Sequence, residues 1–299
     1  MHNWIDIHYT SRDGLRLYAR HYPVPGSLRR PVVCLAGLTR NVRDFHDLAS
    51  VLARQDETGR DVYCLDCRGR GRSQADPNWK NYSILVELND VLDFMTMKGL
   101  DRTAVIGTSR GGLITMLMAV LRPNALGAVV LNDIGPMIER QGLARIVAYV
   151  GRVPLPADWQ EATQLVQEMN RRQFTAIPAE EWAGIARQVF NDDNGLPASA
   201  YDPQLAKAIS VMDGPTPELW PQFAALAHVP ALVIRGENSD ILSQKTVDEM
   251  HARHPRLTSV VVRGQGHAPL LRDAPTISAV AGFLARTDGE AYESARAVA

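Results

Sequence analysis

Short apolar runs alternate with segments of helical length along most of the chain. The first two runs flank the pair Asp13-Gly14, which predicts an antiparallel hairpin. The six later runs are apolar throughout, as buried parallel strands are. The predicted strands are residues 5–9, 15–19, 32–35, 62–65, 104–106, 129–131, 231–234 and 259–262. The predicted core helices are residues 43–54, 83–97, 109–122, 244–253 and 275–286. We expect an α/β fold with an eight-stranded, mostly parallel sheet and helices on both faces.

One segment of the chain, residues 134–230, is too long for an ordinary connection between two strands. It has no clear strand-like run, and its helical patches are separated by Pro and Gly. The sequence therefore predicts a helical cap at 134–230, inserted between two parts of a core domain, residues 1–133 and 231–299. The aromatic residues of this cap could line an acyl pocket, although the commoner role is the cap's own core. These aromatic residues are Trp159, Phe174, Trp182 and Phe190.

Composition and charge exclude several classes of protein. The 299 residues carry 32 Lys plus Arg against 33 Asp plus Glu, and a net charge of −1 gives no electrostatic footprint for nucleic acid or an anionic membrane. No stretch approaches the roughly 18 to 20 apolar residues of a membrane span. The first residues, MHNWIDIHYT, lack the features of a signal peptide, and three cysteines without zinc spacing indicate reduced thiols. We expect a cytoplasmic protein, either monomer or homodimer, with a small-molecule substrate.

The strongest chemical signal is a G-x-S-x-G motif at residues 107–111. An apolar strand precedes it and a helical pattern follows it. The glycines permit a tight strand-to-helix turn that has no room for β-carbons beside the serine. Such a turn lifts the hydroxyl of Ser109 out of the sheet and places it at a helix N-terminus. The alternative, that Ser109 is only a helix cap, is less consistent with this context.

A serine nucleophile needs a base, and the base needs an orienting acid. Among the eight histidines, His267 fits best, because it lies in a glycine-containing loop directly after the last predicted strand. Two aspartates would lie at the carboxyl edge of the sheet, Asp133 after the sixth predicted strand and Asp240 after the seventh. We favour Asp240, whose loop is long enough to reach His267. Asp133 is the competing acid, and Glu237 is a weaker third option.

The order Ser109, Asp240, His267 and the motifs around it resemble those of the α/β-hydrolase fold superfamily, in its capped, esterase-like branch. The resemblance covers nearly the whole chain. Residues 66–73, DCRGRGRS, are similar to the D-x-R-G-x-G-x-S turn that follows the fourth strand in that branch, and we interpret this turn as structural.

The resemblance also implies an oxyanion hole. Residues 35–39, LAGLT, stand where relatives carry an H-G-x loop after the third strand, with Ala36 in place of the usual histidine. That substitution removes the histidine's support for the loop. The backbone N–H groups of Leu38 and Arg110 would be the two oxyanion donors.

The resemblance implies a serine hydrolase that needs no metal and no cofactor. His267 would take the proton of Ser109 as its oxygen attacks an acyl carbon, and water would then hydrolyse the acyl-enzyme. The leading hypothesis is a carboxylesterase-like enzyme acting on a small or medium ester or lactone.

Two arginines near the predicted site are consistent with other functions. Arg40 and Arg110 could contact a substrate carboxylate, which would favour a carbon–carbon bond hydrolase or an enol-lactonase acting on an acidic product of aromatic degradation. The simpler interpretation is that both side chains pair with nearby acids such as Asp44 or Asp133. The remaining alternatives are a cofactor-free haloperoxidase or perhydrolase and, from a different class, a ligand receptor on the same fold.

Overall fold

The computed structural model describes residues 3–210 and 218–298, which fold around one large sheet. The strands are β1 (Ile5–Thr10), β2 (Arg16–Tyr22), β3 (Val32–Leu35), β4 (Val62–Asp66), β5 (Thr103–Thr108), β6 (Leu126–Asn132), β7 (Asn191–Asp193), β8 (Leu196–Ala198), β9 (Ala231–Gly236) and β10 (Leu257–Val262). Eight of them form the sheet, in the order β1-β2-β4-β3-β5-β6-β9-β10. β2 is antiparallel to β1 and to β4, and the other neighbours are parallel. The predicted eight-stranded, mostly parallel sheet is confirmed.

Helices cover both faces of this sheet. They are α1 (His46–Leu52), α2 (Ile84–Met97), α3 (Arg110–Leu121), α4 (Arg140–Tyr149), α5 (Trp159–Asn170), α6 (Trp182–Val189), α7 (Leu205–Ser210), α8 (Trp220–Ala224), α9 (Gln244–Arg253) and α10 (Ala274–Val298). Alternate residues of each strand point to opposite faces. In β3, Val33 packs in an apolar cluster with residues of α2, α3 and α9, whereas Val32 packs in a second cluster with residues of α1 and α10. The expected α/β layering is therefore present.

Residues 134–230, here called the cap segment, connect the parallel neighbours β6 and β9. Of the predicted ranges, residues 1–2, 211–217 and 299 lie outside the described residues. The expectation that the cap segment lacks strands is wrong, because β7 and β8 form an antiparallel hairpin around Asn194-Gly195. Both turn residues have positive φ, 52° and 87°, as a tight hairpin turn requires. The end of the segment packs with the core, since Phe223 of α8 and Leu226 are buried in the same cluster as α3.

The turn at residues 66–73 is held by local hydrogen bonds, as its structural interpretation requires. The Asp66 carboxylate accepts bonds from the backbone N–H groups of Val42, at 2.8 Å, and Arg72, at 2.9 Å. Gly71 has φ of +56°, and a β-carbon there would lie 2.0 Å from Asp66 Oδ2. The turn therefore needs glycine at this position for both conformational and steric reasons.

The parallel strands β5, β6, β9 and β10 bring the candidate site residues to one edge of the sheet. Ser109 follows β5, Asp133 follows β6, Asp240 comes after β9 and His267 comes after β10. These four strands are neighbours and run in the same direction, so their carboxyl ends meet. Within the described ranges, no helix is both long enough and apolar enough to cross a lipid bilayer.

Candidate active site

Ser109 stands on a strained turn between β5 and α3. Its φ is 51° and its ψ is −113°, a conformation that L-residues rarely adopt. The neighbouring glycines make the turn possible: a β-carbon on Gly107 would lie 2.6 Å from the Gly111 backbone, and one on Gly111 would lie 2.2 Å from Leu35 O. The backbone N–H of Ser109 donates to Asn132 O at 3.0 Å, which ties the turn to the adjacent strand. The motif thus forms the tight strand-to-helix turn that the sequence predicts, here called the elbow.

His267 lies against the hydroxyl of Ser109. The distance from His267 Nε2 to Ser109 Oγ is 2.9 Å, and the histidine side chain is 8% exposed. Its loop is held by Gln265, whose side chain accepts from Leu270 N at 2.9 Å and donates to Asp273 at 3.3 Å. The structure therefore brings together the serine and the histidine that the sequence predicts.

The carboxylate next to His267 belongs to Asp133. Asp133 Oδ2 is 2.8 Å from His267 Nδ1, so the competing acid occupies the position that the sequence interpretation gave to Asp240. That interpretation is wrong. The Asp240 carboxylate instead accepts two bonds from Arg145 of α4, from Nε at 2.6 Å and from Nη2 at 2.8 Å. A residue of the cap segment thus holds Asp240 in an ion pair. Glu237, the third option, accepts from Gly264 N at 2.7 Å.

Asp133 is held from the opposite side by β9 and the loop after it. Gly236 N donates to Asp133 Oδ1 at 2.8 Å, and the Ser239 hydroxyl donates to Oδ2 at 2.6 Å. The Asp133 side chain is 0% exposed. Because donors bind both oxygens, the carboxylate is held in one orientation toward His267 Nδ1.

The two arginines considered as substrate contacts both form ion pairs. Arg40 donates from Nε to Asp44 at 2.8 Å, which confirms the simpler interpretation for that residue. Arg110 also pairs with an acid, as the simpler interpretation expects, but the acid is the buried Glu87, to which Arg110 Nε donates at 2.6 Å, and neither Asp44 nor Asp133. The spacing of Arg110 and Glu87 gives no sequence signal for this pair, since they lie on different helices, α3 and α2.

The backbone N–H groups of Leu38 and Arg110 are free to bind an anion. Among the residues that the structure describes, neither N–H donates to a protein acceptor. Arg110 is the first residue of α3, where N–H groups have no partner within the helix. The loop that carries Leu38 lies close to Ser109, because a β-carbon on the adjacent Gly37 would lie 3.8 Å from Ser109 Cβ.

A cavity of about 470 Å³ opens above Ser109 and His267. Residues of the cap segment form much of its wall, among them Phe174, Trp182 and Phe190. The same three aromatic rings also belong to a small apolar cluster inside the cap segment, so both roles considered for them apply. Trp159 packs against that cluster and does not line the cavity. Over the described ranges, no group of three or more His, Cys, Asp or Glu side chains is arranged to hold a metal ion.

Known proteins resemble this chain over most of its length. The family model of the α/β hydrolase fold matches residues 30–274. A 3-hydroxybutyrate-oligomer hydrolase of Cupriavidus necator is 33% identical over 282 residues, which cover 90% of this chain and 93% of the relative. Esterase YbfF of Escherichia coli is 27% identical over 242 residues, which cover 79% of this chain and 85% of that esterase.

A solved structure adds a close match in three dimensions. The crystal structure of an α/β hydrolase from Novosphingobium aromaticivorans superposes with a TM-score of 0.88 at 39% identity, covering 96% of this chain and 99% of that one. The matched family model spans most of the sheet, from just before β3 to the start of α10. The chain therefore belongs to the α/β-hydrolase fold family, and it is an enzyme of the hydrolase class with esterases among its relatives.

Proposed function

We propose that this protein is a serine esterase that cleaves a small or medium carboxylic ester or lactone through an acyl-enzyme on Ser109. The proposal rests on two consecutive hydrogen bonds. Ser109 Oγ lies 2.9 Å from His267 Nε2, and His267 Nδ1 lies 2.8 Å from Asp133 Oδ2. In this mechanism His267 Nε2 takes the hydroxyl proton as Ser109 Oγ attacks the acyl carbon. Asp133 fixes the tautomer of His267 and stabilises the imidazolium that forms.

The backbone N–H groups of Leu38 and Arg110 would bind the negative charge that develops on the carbonyl oxygen. A single donor of this kind is worth about 10²- to 10³-fold in rate. The C–O bond to the leaving group then breaks, and the alcohol leaves with the proton held by His267. Water gives a proton to His267 and attacks the acyl-enzyme, which releases the carboxylic acid and restores Ser109.

The cavity supports an uncharged substrate of moderate size. Its volume of about 470 Å³ suits a short or medium acyl chain together with its alcohol. Arg40 and Arg145 line it, but each guanidinium is already paired with a carboxylate, so an acidic substrate has less support than a neutral ester. The relative from Cupriavidus necator suggests oligomeric esters of hydroxy acids as a second substrate class, and because such an oligomer has a free terminal carboxylate, comparing it with neutral esters tests the preference for an uncharged substrate.

We expect the enzyme to hydrolyse p-nitrophenyl esters with an optimum at short to medium acyl chains, because the cavity has a volume of only about 470 Å³ and the cap segment forms much of its wall. Turnover is measured across a series from acetate to laurate, beside an oligomer of 3-hydroxybutyrate. Intact mass after reaction with a fluorophosphonate is expected to show one adduct, on Ser109. Labelling without turnover on any ester would favour the receptor alternative, and folded protein that neither labels nor turns over would refute the proposal.

We expect Ser239→Ala to lower kcat about tenfold with little change in KM, a loss of about 1.4 kcal/mol in the transition state. The reason is that the Ser239 hydroxyl holds the oxygen of Asp133 that faces His267. Ser243→Ala is the matched control, because Ser243 caps α9 through Thr246 N and does not contact Asp133. That control should cost about 1 kcal/mol of stability and leave kcat unchanged. Equal kcat values for the two variants would contradict a positioning role for Ser239.

A further inference from the structure

A fully buried carboxylate on α2 lies behind the proposed oxyanion donors. The Glu87 side chain is 0% exposed, and it is surrounded along the helix by apolar positions such as Leu88 and Val91. Two arginines share it. Arg110 binds Oε2 from Nε at 2.6 Å and Oε1 from Nη2 at 3.0 Å, and Arg70 binds Oε1 from Nη1 at 2.8 Å. Burying a charged carboxylate costs free energy of desolvation, so the presence of Glu87 here calls for a structural or functional explanation.

Arg70 connects this carboxylate to the first donor. Its Nε donates to the carbonyl oxygen of Leu38 at 2.8 Å, and its side chain is 1% exposed. On the other side of Leu38, Gly37 O accepts from Arg40 N at 3.1 Å. In a trans peptide the N–H of Leu38 points opposite to the carbonyl of Gly37, so these two bonds together fix the direction of the donor N–H.

Arg110 connects the same carboxylate to the second donor. The donor N–H belongs to Arg110 itself, and the side chain of this residue is anchored by Glu87 and by Tyr82 O, at 2.9 Å. Burial lowers the pKa of the Arg110 guanidinium, the Glu87 carboxylate raises it, and the net shift is upward. The guanidinium is therefore a permanent cation. Burial raises the pKa of the Glu87 carboxyl, Arg110 and Arg70 lower it, and the net shift is downward, which favours the charged form of the pair.

We propose that Glu87 and Arg70 are positioning residues that hold the two oxyanion donors in one rigid arrangement. The proposal rests on the proposed function, in which Leu38 and Arg110 supply those donors. The side chain of Ala36 in this loop can form no hydrogen bond. Support for the loop comes from the neighbouring turn, through Arg70, and that turn is itself bonded to α2 through Glu87.

The consequence for the reaction is a loss of rate without a loss of binding. Oxyanion donors act when they lie about 2.7 to 3.1 Å from the charged oxygen, and a displacement of about 1 Å can cost about 10²-fold. The ester in the ground state gains little binding free energy from these donors, because its carbonyl oxygen does not yet carry the negative charge. Loosening their support should therefore lower kcat and kcat/KM together and leave KM nearly unchanged.

The test compares Arg70→Lys with Arg68→Lys. Arg68 is the matched control because it lies in the same turn and is also 1% exposed. Among the described residues, its side chain binds the carboxylates of Asp13, Asp76 and Asp90 and no atom of Leu38 or Glu87. A lysine at position 70 cannot reach Leu38 O and Glu87 together. The concentration of active sites is measured by complete reaction of a parallel sample with a fluorophosphonate, so kcat is expressed per reactive Ser109 and refers to folded enzyme only.

We expect Arg70→Lys to lower kcat per labelled site about tenfold or more, and Arg68→Lys to leave it within about twofold. The affinity of Arg70→Lys for a trifluoromethyl ketone, whose adduct places an oxyanion in the hole, should fall by the same factor as kcat/KM. An equal loss in both variants, or an unchanged trifluoromethyl ketone affinity, would overturn the proposal.

Glu87→Gln provides a second route if Arg70→Lys does not fold. The amide keeps the volume but loses the charge that anchors both arginines, so the same lowering of kcat at constant KM is expected. A folded Glu87→Gln enzyme with wild-type kcat would overturn the proposal. Failure of the proposed function would look different, because wild-type protein would then neither turn over esters nor take up the fluorophosphonate.

Discussion

Replacing Ser109 by Ala is expected to remove nearly all ester turnover and all fluorophosphonate labelling while the protein stays folded. The alanine keeps the β-carbon and the backbone of the turn, and loses only the oxygen that attacks the acyl carbon. Loss of the nucleophile of a serine hydrolase costs about 10⁶-fold in kcat, and what remains comes from binding and the oxyanion donors. The measurement is p-nitrophenyl butyrate turnover, with intact mass after labelling.

The effect should be specific to the hydroxyl at the elbow. Ser27→Ala is a suitable control, because the Ser27 hydroxyl donates to Gly59 O at 2.7 Å and lies outside the cavity. It should keep wild-type kcat. His267→Ala should be as inactive as Ser109→Ala, since it removes the ring nitrogen that lies 2.9 Å from the Ser109 hydroxyl. Measurable residual labelling of Ser109→Ala would mean that another residue reacts, and the proposed mechanism would fail.

The elbow could be predicted from sequence because its requirements are local. A strand, two glycines within four positions of one another and a following helix leave one way to build the turn, and the close contacts of Gly107 and Gly111 are its direct result. The strands were predictable for a similar reason, since buried parallel strands are apolar over their whole length. The loop that carries His267 follows the last of these strands, so its position at the sheet edge also follows from chain order.

The choice of acid depends on contacts that chain order does not contain. Asp133 and Asp240 both come to the carboxyl edge of the sheet, as expected. Asp133 faces His267 because it has a positive φ of 55° and because Gly236 and Ser239 hold its carboxylate. Asp240 is held by Arg145, a residue 95 positions away in the cap segment. Loop length was thus a weaker criterion than the partners available to each carboxylate.

The hairpin in the cap segment was missed for a different reason. Asn194-Gly195 is a strong turn signal, but the strands on either side have three residues each and the polar sequence Asn191–Asp193 on one side. Such strands bury little and carry no alternating pattern. A residue outside the cap segment also holds the hairpin, because Arg43, just before α1, donates from Nη1 to Asn191 Oδ1 at 2.9 Å.

Asp133→Asn is expected to lower kcat about 10³- to 10⁴-fold, with KM little changed. The Gly236 N–H can only donate, so the amide oxygen must take the Oδ1 position that faces it, and the Ser239 hydroxyl at the other position can turn to accept. The amide nitrogen then faces His267 Nδ1 and donates to it, which leaves the proton of the neutral ring on Nε2. In that tautomer the histidine cannot accept the proton of Ser109.

Asp240→Asn is the matched comparison, and it should keep kcat within a few-fold of wild type. It removes the charge that pairs with Arg145, which joins α4 to the loop after β9, and that pair does not touch His267. Its cost should therefore be a lower free energy of unfolding, measured in urea beside the kinetics. A larger loss of kcat in Asp240→Asn than in Asp133→Asn would restore Asp240 as the acid. Because both variants are isosteric and both lose one negative charge, the comparison separates the hydrogen bond to His267 from the general effect of charge near the site.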